Sequence, residues 1–148
     1  MLLGKRERVR LLLCLDVWVS LLEKKGGRPE VQPLLGMAKE GRVELLYPAP
    51  VIKDVIQAFG GEEGKKSSWK AVERMRAIGS AVGVDEADLA VACRYRPLTT
   101  SFDSALALAA AQRAGADYLV TYDQELLRRA PVAALSPGDV YAVLSTRP

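Results

Sequence analysis

Apolar residues in this chain fall into short unbroken runs and longer helical stripes that alternate from one end to the other. Residues 9–15 form a run that stops at Asp16, the pattern of a strand buried on both faces whose end meets a polar edge. Residues 17–24 then read as a helix closed by Gly26-Gly27, and residues 31–40 as a second helix, with Leu34, Leu35 and Ala38 on one face and Gly41 as its stop. Residues 43–47 return to strand character. After Pro48 and Pro50, the apolar residues Val51, Ile52, Val55, Ile56 and Phe59 recur at helical spacing, which places Asp54 on a helix. Residues 60–68 carry Gly, Lys and Ser without periodicity and read as a loop. Helices follow over 69–78 and 86–94, the second open to capping by Asp85.

The last third repeats the alternation. A helix over 105–113 is dominated by Ala and Leu and ends at Gly115, with its start at Ser101, Asp103 or Ser104. Residues 118–121 are β-branched and aromatic, Asp123 follows them, and 124–129 form a short helix. Residues 132–135 predict a final strand, and Ser136-Pro137 opens a last helix reaching 144. This order predicts an α/β domain, a three-layer sandwich with a central parallel sheet flanked by helices, occupying residues 1–148 as one unit. Ligands of such sheets bind outside the carboxyl ends of the strands, where Asp16 and Asp123 are expected.

Composition narrows the chemistry. The chain has no His, so imidazole is excluded as base or metal ligand. Cys14 and Cys93 lie in apolar segments without metal-ligand spacing and read as small hydrophobes. A net charge of +3 is too slight to identify a nucleic-acid binder by itself. The basic start through Lys5, Arg6, Arg8 and Arg10 resembles a signal peptide, but its apolar run meets Asp16 and lacks a cleavage site. No stretch reaches transmembrane length, and a cytoplasmic location is expected. The absence of Asn and the many Glu and Arg residues lean towards a thermophile.

Three segments resemble the PIN-domain family, including VapC-type toxins: Leu15-Asp16-Val17-Trp18-Val19; Pro50 to Ile56 around Asp54; and the stretch from Phe102-Asp103-Ser104 through Gly115-Ala116-Asp117 to Thr121-Tyr122-Asp123. The resemblance spans nearly the whole chain. It implies a ribonuclease that uses Mg²⁺ or Mn²⁺, acts on RNA, pairs with an antitoxin protein, and forms a homodimer. Magnesium suits such a site because it takes hard oxygen ligands, and a bound ion lowers the pKa of its water without help from His. By the same resemblance Asp16, Asp54, Asp103 and Asp123 are the catalytic and metal-binding acids, Asp54 stands where Glu is usual, and Thr121 orients one of them.

The sequence departs from the family at the third acid. Ungapped alignment puts that position on Ser104, with Asp103 one residue earlier and about 100° away around a helix. Val17 and Trp18 also replace the polar residues that often follow the first acid. A second reading therefore stands beside the nuclease: a PIN fold with a degenerate site that binds RNA or protein without cutting. Each acid also has a purely local role open to it, as a helix cap, a turn residue or a solvated side chain. Asp117 is expected to be structural, Trp18 to lie in the core or an interface, and Lys65, Lys66 and Lys70 to be a solvated face. Receiver and haloacid-dehalogenase domains would need a second acid near Asp16, where only neutral residues stand.

Overall fold

Three leucines organise the centre of the sheet. In β1 (Val9–Leu13) Leu11, Leu12 and Leu13 are all fully buried, because this strand is covered on both faces. The computed structural model describes residues 8–23, 28–60 and 64–146, with 60 and 64–67 by backbone alone. The other strands are β2 (Val43–Pro48), β3 (Gly79–Val82), β4 (Tyr118–Val120) and β5 (Ala134–Leu135). All are parallel, in the order β3-β2-β1-β4-β5, with Leu11 opposite both Leu45 and Tyr118.

Side chains alternate between two layers, as the period of a strand requires. Leu11, Leu13, Leu45, Tyr47 and Val120 face one core, shared with α1 (Leu15–Leu22), α2 (Gln32–Lys39), α3 (Val51–Gly60), α4 (Gly64–Ile78) and α8 (Pro137–Ser145). Leu12, Cys14, Leu46 and Leu119 face the other, covered by α6 (Phe102–Ala114) and α7 (Gln124–Arg129). The remaining helix, α5 (Glu86–Arg94), packs on the far side of α6 through Ala92 against Ala105, Leu106 and Ala109. Because α6 is rich in Ala, it can be covered on both sides at close approach; its residues from Ser104 to Ala111 are all buried. Gly115 caps it in the left-handed region at φ 69°, which only Gly enters freely.

Trp18 lies entirely in the core. Its Nε1–H donates to the Leu46 carbonyl oxygen at 3.3 Å, and its ring meets Tyr47 edge to face at a centroid distance of 5.4 Å. Gly79 makes room for it: a Cβ built there would come 2.7 Å from Trp18 Cη2.

Several boundaries differ from the sequence reading. The first strand ends at Leu13, so Asp16 belongs to the first turn of α1 rather than to the strand end. Helix α4 begins at Gly64, inside the expected loop. The edge strand β3 was not foreseen, because Gly-Ser-Ala-Val is short, half exposed and lacks a β-branched run. Cys93, expected to pack as a hydrophobe, is exposed, since α5 turns Asp88 and Ala92 inward instead; both cysteines are free. Asp85 does cap α5, in a reciprocal capping box with Asp88. The Gly26-Gly27 stop, Lys5, Arg6 and the side chains of Lys65 and Lys66 lie outside the described residues. No helix among those described is long and apolar enough to cross a membrane.

Candidate active site at the sheet's carboxyl edge

In the sheet order, β1 lies between β2 and β4, and the chain leaves β1 towards one face and β4 towards the other. The crevice beyond their carboxyl ends is the topological switch point of the sheet. Asp16 and Asp123 flank it.

Asp16 is held by backbone donors from both sides of the crevice. Its Oδ1 accepts the amide of Val17 at 2.8 Å, and its Oδ2 accepts the amide of Tyr122 at 3.1 Å, in the loop after β4. Burial raises its pKa above the usual carboxylate value. The charge of Asp123 pushes the same way, against the two amides and Arg28.

Asp123 is the N-cap of α7. Its Oδ1 accepts the amides of Glu125 at 2.8 Å and Leu126 at 3.4 Å. Its Oδ2 accepts the Ser104 hydroxyl at 3.2 Å and lies 3.5 Å from the Thr99 hydroxyl. Thr121 is fully buried, and its Oγ1 accepts the Asp123 amide at 3.0 Å. One cap residue thus gathers donors from α7, α6 and the loop before α6.

The other two acids form a separate pair. Asp103, on the exposed side of the first turn of α6, has its pKa raised by partial burial and then by the charge of Asp54 on α3. Ser104, one residue on, points inward to Asp123. The rotation of about 100° between neighbouring helix positions therefore divides their roles. The buried Cys14 thiol lies within electrostatic reach of both pairs. Its pKa is pushed far up by burial and next by Asp16, with Asp123 and Asp103 adding to the effect and a hydrogen bond with Thr121 opposing it.

Among the described residues, no three acidic or thiol side chains come together closely enough to hold a metal ion. The four expected ligands stand as two pairs, Asp16 with Asp123 and Asp54 with Asp103. The donor chemistry still fits a hard cation, since Mg²⁺ needs only one or two direct carboxylates and keeps several waters. Repulsion between Asp16 and Asp123 is also what a cation would relieve.

Three contributors were not singled out in the sequence. Thr99 is 4% exposed, and its hydroxyl both faces Asp123 and accepts the Ser101 amide. Tyr122 could have been found from its place between Thr121 and Asp123. Arg28, whose guanidinium carbon lies 4.0 Å from the centroid of the Tyr122 ring, has no local signal, because the contact joins distant parts of the chain. Asp117, at the other edge, accepts the Arg10 amide at 2.7 Å and ties β1 to β4.

No protein-family model matches the chain, and no curated protein matches it by sequence. Solved structures do. VapBC2 from Rickettsia felis, bound to a DNA fragment from its promoter, superposes with a TM-score of 0.67 at 13% identity, covering 86% of this chain and 98% of that one. PAE2754 from Pyrobaculum aerophilum gives 0.62 at 18% identity, with coverage of 95% and 99%. VapC20 from Mycobacterium tuberculosis, a toxin that cleaves the sarcin-ricin loop, gives 0.58 at 14% identity, with coverage of 76% and 89%. The chain has the α/β fold of these structures, the PIN-domain fold that its own sequence resembles.

Proposed function

We propose that this chain is a divalent-metal-dependent ribonuclease of PIN type, the toxin partner of an antitoxin protein. The observation that carries this reading is the placement of Asp16 and Asp123 at the switch point, joined through one loop: the Asp16 carboxylate accepts the amide of Tyr122, the residue before Asp123. Two acids brought within reach of each other in a partly buried crevice cost stability unless something positive joins them.

Asp16 and Asp123 are the residues that would hold Mg²⁺ or Mn²⁺ directly, with Asp54 and Asp103 as acids acting on it through water, and the ion would supply a water of lowered pKa and a counter-charge for the phosphate. The protein's part is orientation. Val17 and Tyr122 amides fix the Asp16 carboxylate, while Ser104, Thr99 and the first turn of α7 fix Asp123. Each Asp16 oxygen accepts a single bond and retains acceptor capacity beyond it. Thr121 steadies the Asp123 backbone from below. With no His in the chain, any general base must be a carboxylate or a bound water.

The VapBC2 complex from Rickettsia felis and the sarcin-ricin loop cleaving VapC20 support the toxin reading through their shared fold. On the family resemblance we also take the chain to act in the cytoplasm as a homodimer occupying residues 1–148 as one domain. The reading is tested by incubating purified protein with single-stranded RNA and Mn²⁺ or Mg²⁺. Cleavage that is lost in Asp16→Asn and in EDTA supports it, and cleavage retained in both refutes it.

A second reading, a fold that binds RNA without cutting it, is favoured by one feature: Ser104 occupies the position of the third acid and is engaged as a donor to Asp123. RNA binding without metal-dependent cleavage would select it.

A further inference from the structure

We infer that the cavity beside Asp16 holds a phosphodiester of the RNA strand, with Arg28 as its anion-binding group; this deepens the ribonuclease reading and rests on it. The cavity is an open groove of about 440 Å³, lined by Asp16 and its neighbours on α1, by Glu23, and by Arg28 and Tyr122. Its size is that of a small-ligand site.

Arg28 is placed from two directions. Its backbone amide donates to Ser20 Oγ at 2.9 Å, and its guanidinium lies over the Tyr122 ring at 4.0 Å. A cation held over an aromatic ring keeps its N–H donors available, and a guanidinium presents them in a fork that matches two phosphate oxygens. Among the described residues this guanidinium is in no ion pair, unlike Arg10, Arg42 and Arg113.

Tyr122 joins the two halves of the arrangement. Its ring carries Arg28 while its backbone amide holds Asp16, so one residue sets the cation and the carboxylate in fixed relation. A phosphate approaching Asp16 meets the negative charges of Asp16 and Glu23, and Arg28 is the positive charge lining that cavity. A stacked guanidinium is a positioned cation that needs no further ordering when the strand arrives.

The test is fluorescence-anisotropy binding of a labelled short single-stranded RNA to the full chain in Ca²⁺ over a range of KCl, with gels to show that the strand stays intact. Arg28→Ala is expected to weaken binding about tenfold and to lower the slope of log affinity against log salt by about 0.7, the share of one phosphate on a single strand. Arg28→Lys should restore the slope but only part of the affinity. Tyr122→Leu should also keep the slope while weakening binding, because the charge remains but its platform is gone. Unchanged affinity and slope in Arg28→Ala, against a binding wild type, would overturn the inference and leave the nuclease reading standing. A wild type that binds no RNA would overturn both.

Discussion

Asp16, in the first turn of α1, and Asp123, the cap of α7, directly follow the central strands β1 and β4, whereas Asp54 and Asp103 lie in the first turns of α3 and α6. The first pair is bound into the backbone: each carboxylate accepts at least two protein donors, from different parts of the chain. The second pair is exposed or half exposed and, among the described residues, accepts no such bonds. The contrast shows how a parallel sheet builds a site. Its carboxyl edge offers free amides at helix starts, and these fix acids placed there.

The largest expected difference between the pairs is in activity. Asp16→Asn and Asp123→Ala should each lower RNA cleavage by more than about 100-fold, as loss of central metal-site groups does. Asp54→Asn and Asp103→Asn should cost roughly tenfold each, because water can replace one outer carboxylate. Equal losses at all four positions would erase the distinction. Asp123→Ala should also lower unfolding free energy by about 1–2 kcal/mol in urea melts, since it strips α7 of its cap.

Beneath the fixed pair, Trp18 and Gly79 set the packing of α1 against the sheet. Gly79→Ala is expected to cost about 1–3 kcal/mol, because the new methyl would press on a ring that is fully enclosed. Adding Trp18→Phe should recover part of this loss. A melt unchanged by Gly79→Ala would show that α1 shifts freely and that Asp16 is less fixed than its bonds indicate.

A smaller effect is expected in pH. The folded state raises the pKa of Asp16, so protonated Asp16 favours folding, and that contribution is lost as pH rises through the raised value. Asp16→Asn removes the loss but leaves one backbone amide without its acceptor, a cost independent of pH. The melting temperature of the mutant relative to wild type, measured without divalent ions, should therefore improve by a few degrees at most between pH 4 and pH 8. A difference that worsens with rising pH would mean that the Asp16 charge is stabilising.

Much of this arrangement was legible from the chain alone. The run ending near Asp16 and the Thr121-Tyr122-Asp123 spacing placed two acids at one edge, because parallel strands and short connections leave little choice of position. The one-residue offset between Asp103 and Ser104 was also readable, since helix geometry fixes it. Three features were not. The strand β3 carries no apolar run, as an exposed edge needs none. Thr99 lies in an irregular loop whose path depends on packing against α6. The stacking of Arg28 on Tyr122 is tertiary, and local pattern holds no trace of it.

If the fixed pair holds a divalent cation, calorimetric titration of wild type, Asp16→Asn and Ser104→Asp with Mn²⁺ will show it. One Mn²⁺ should bind wild type and none should bind Asp16→Asn. Ser104→Asp, which puts a carboxylate where a hydroxyl now touches Asp123, should tighten binding by about tenfold. A wild-type titration indistinguishable from that of Asp16→Asn would mean that Asp16 and Asp123 hold no cation. If Ser104→Asp alone then bound the ion, this chain would be a PIN fold whose metal site has been lost.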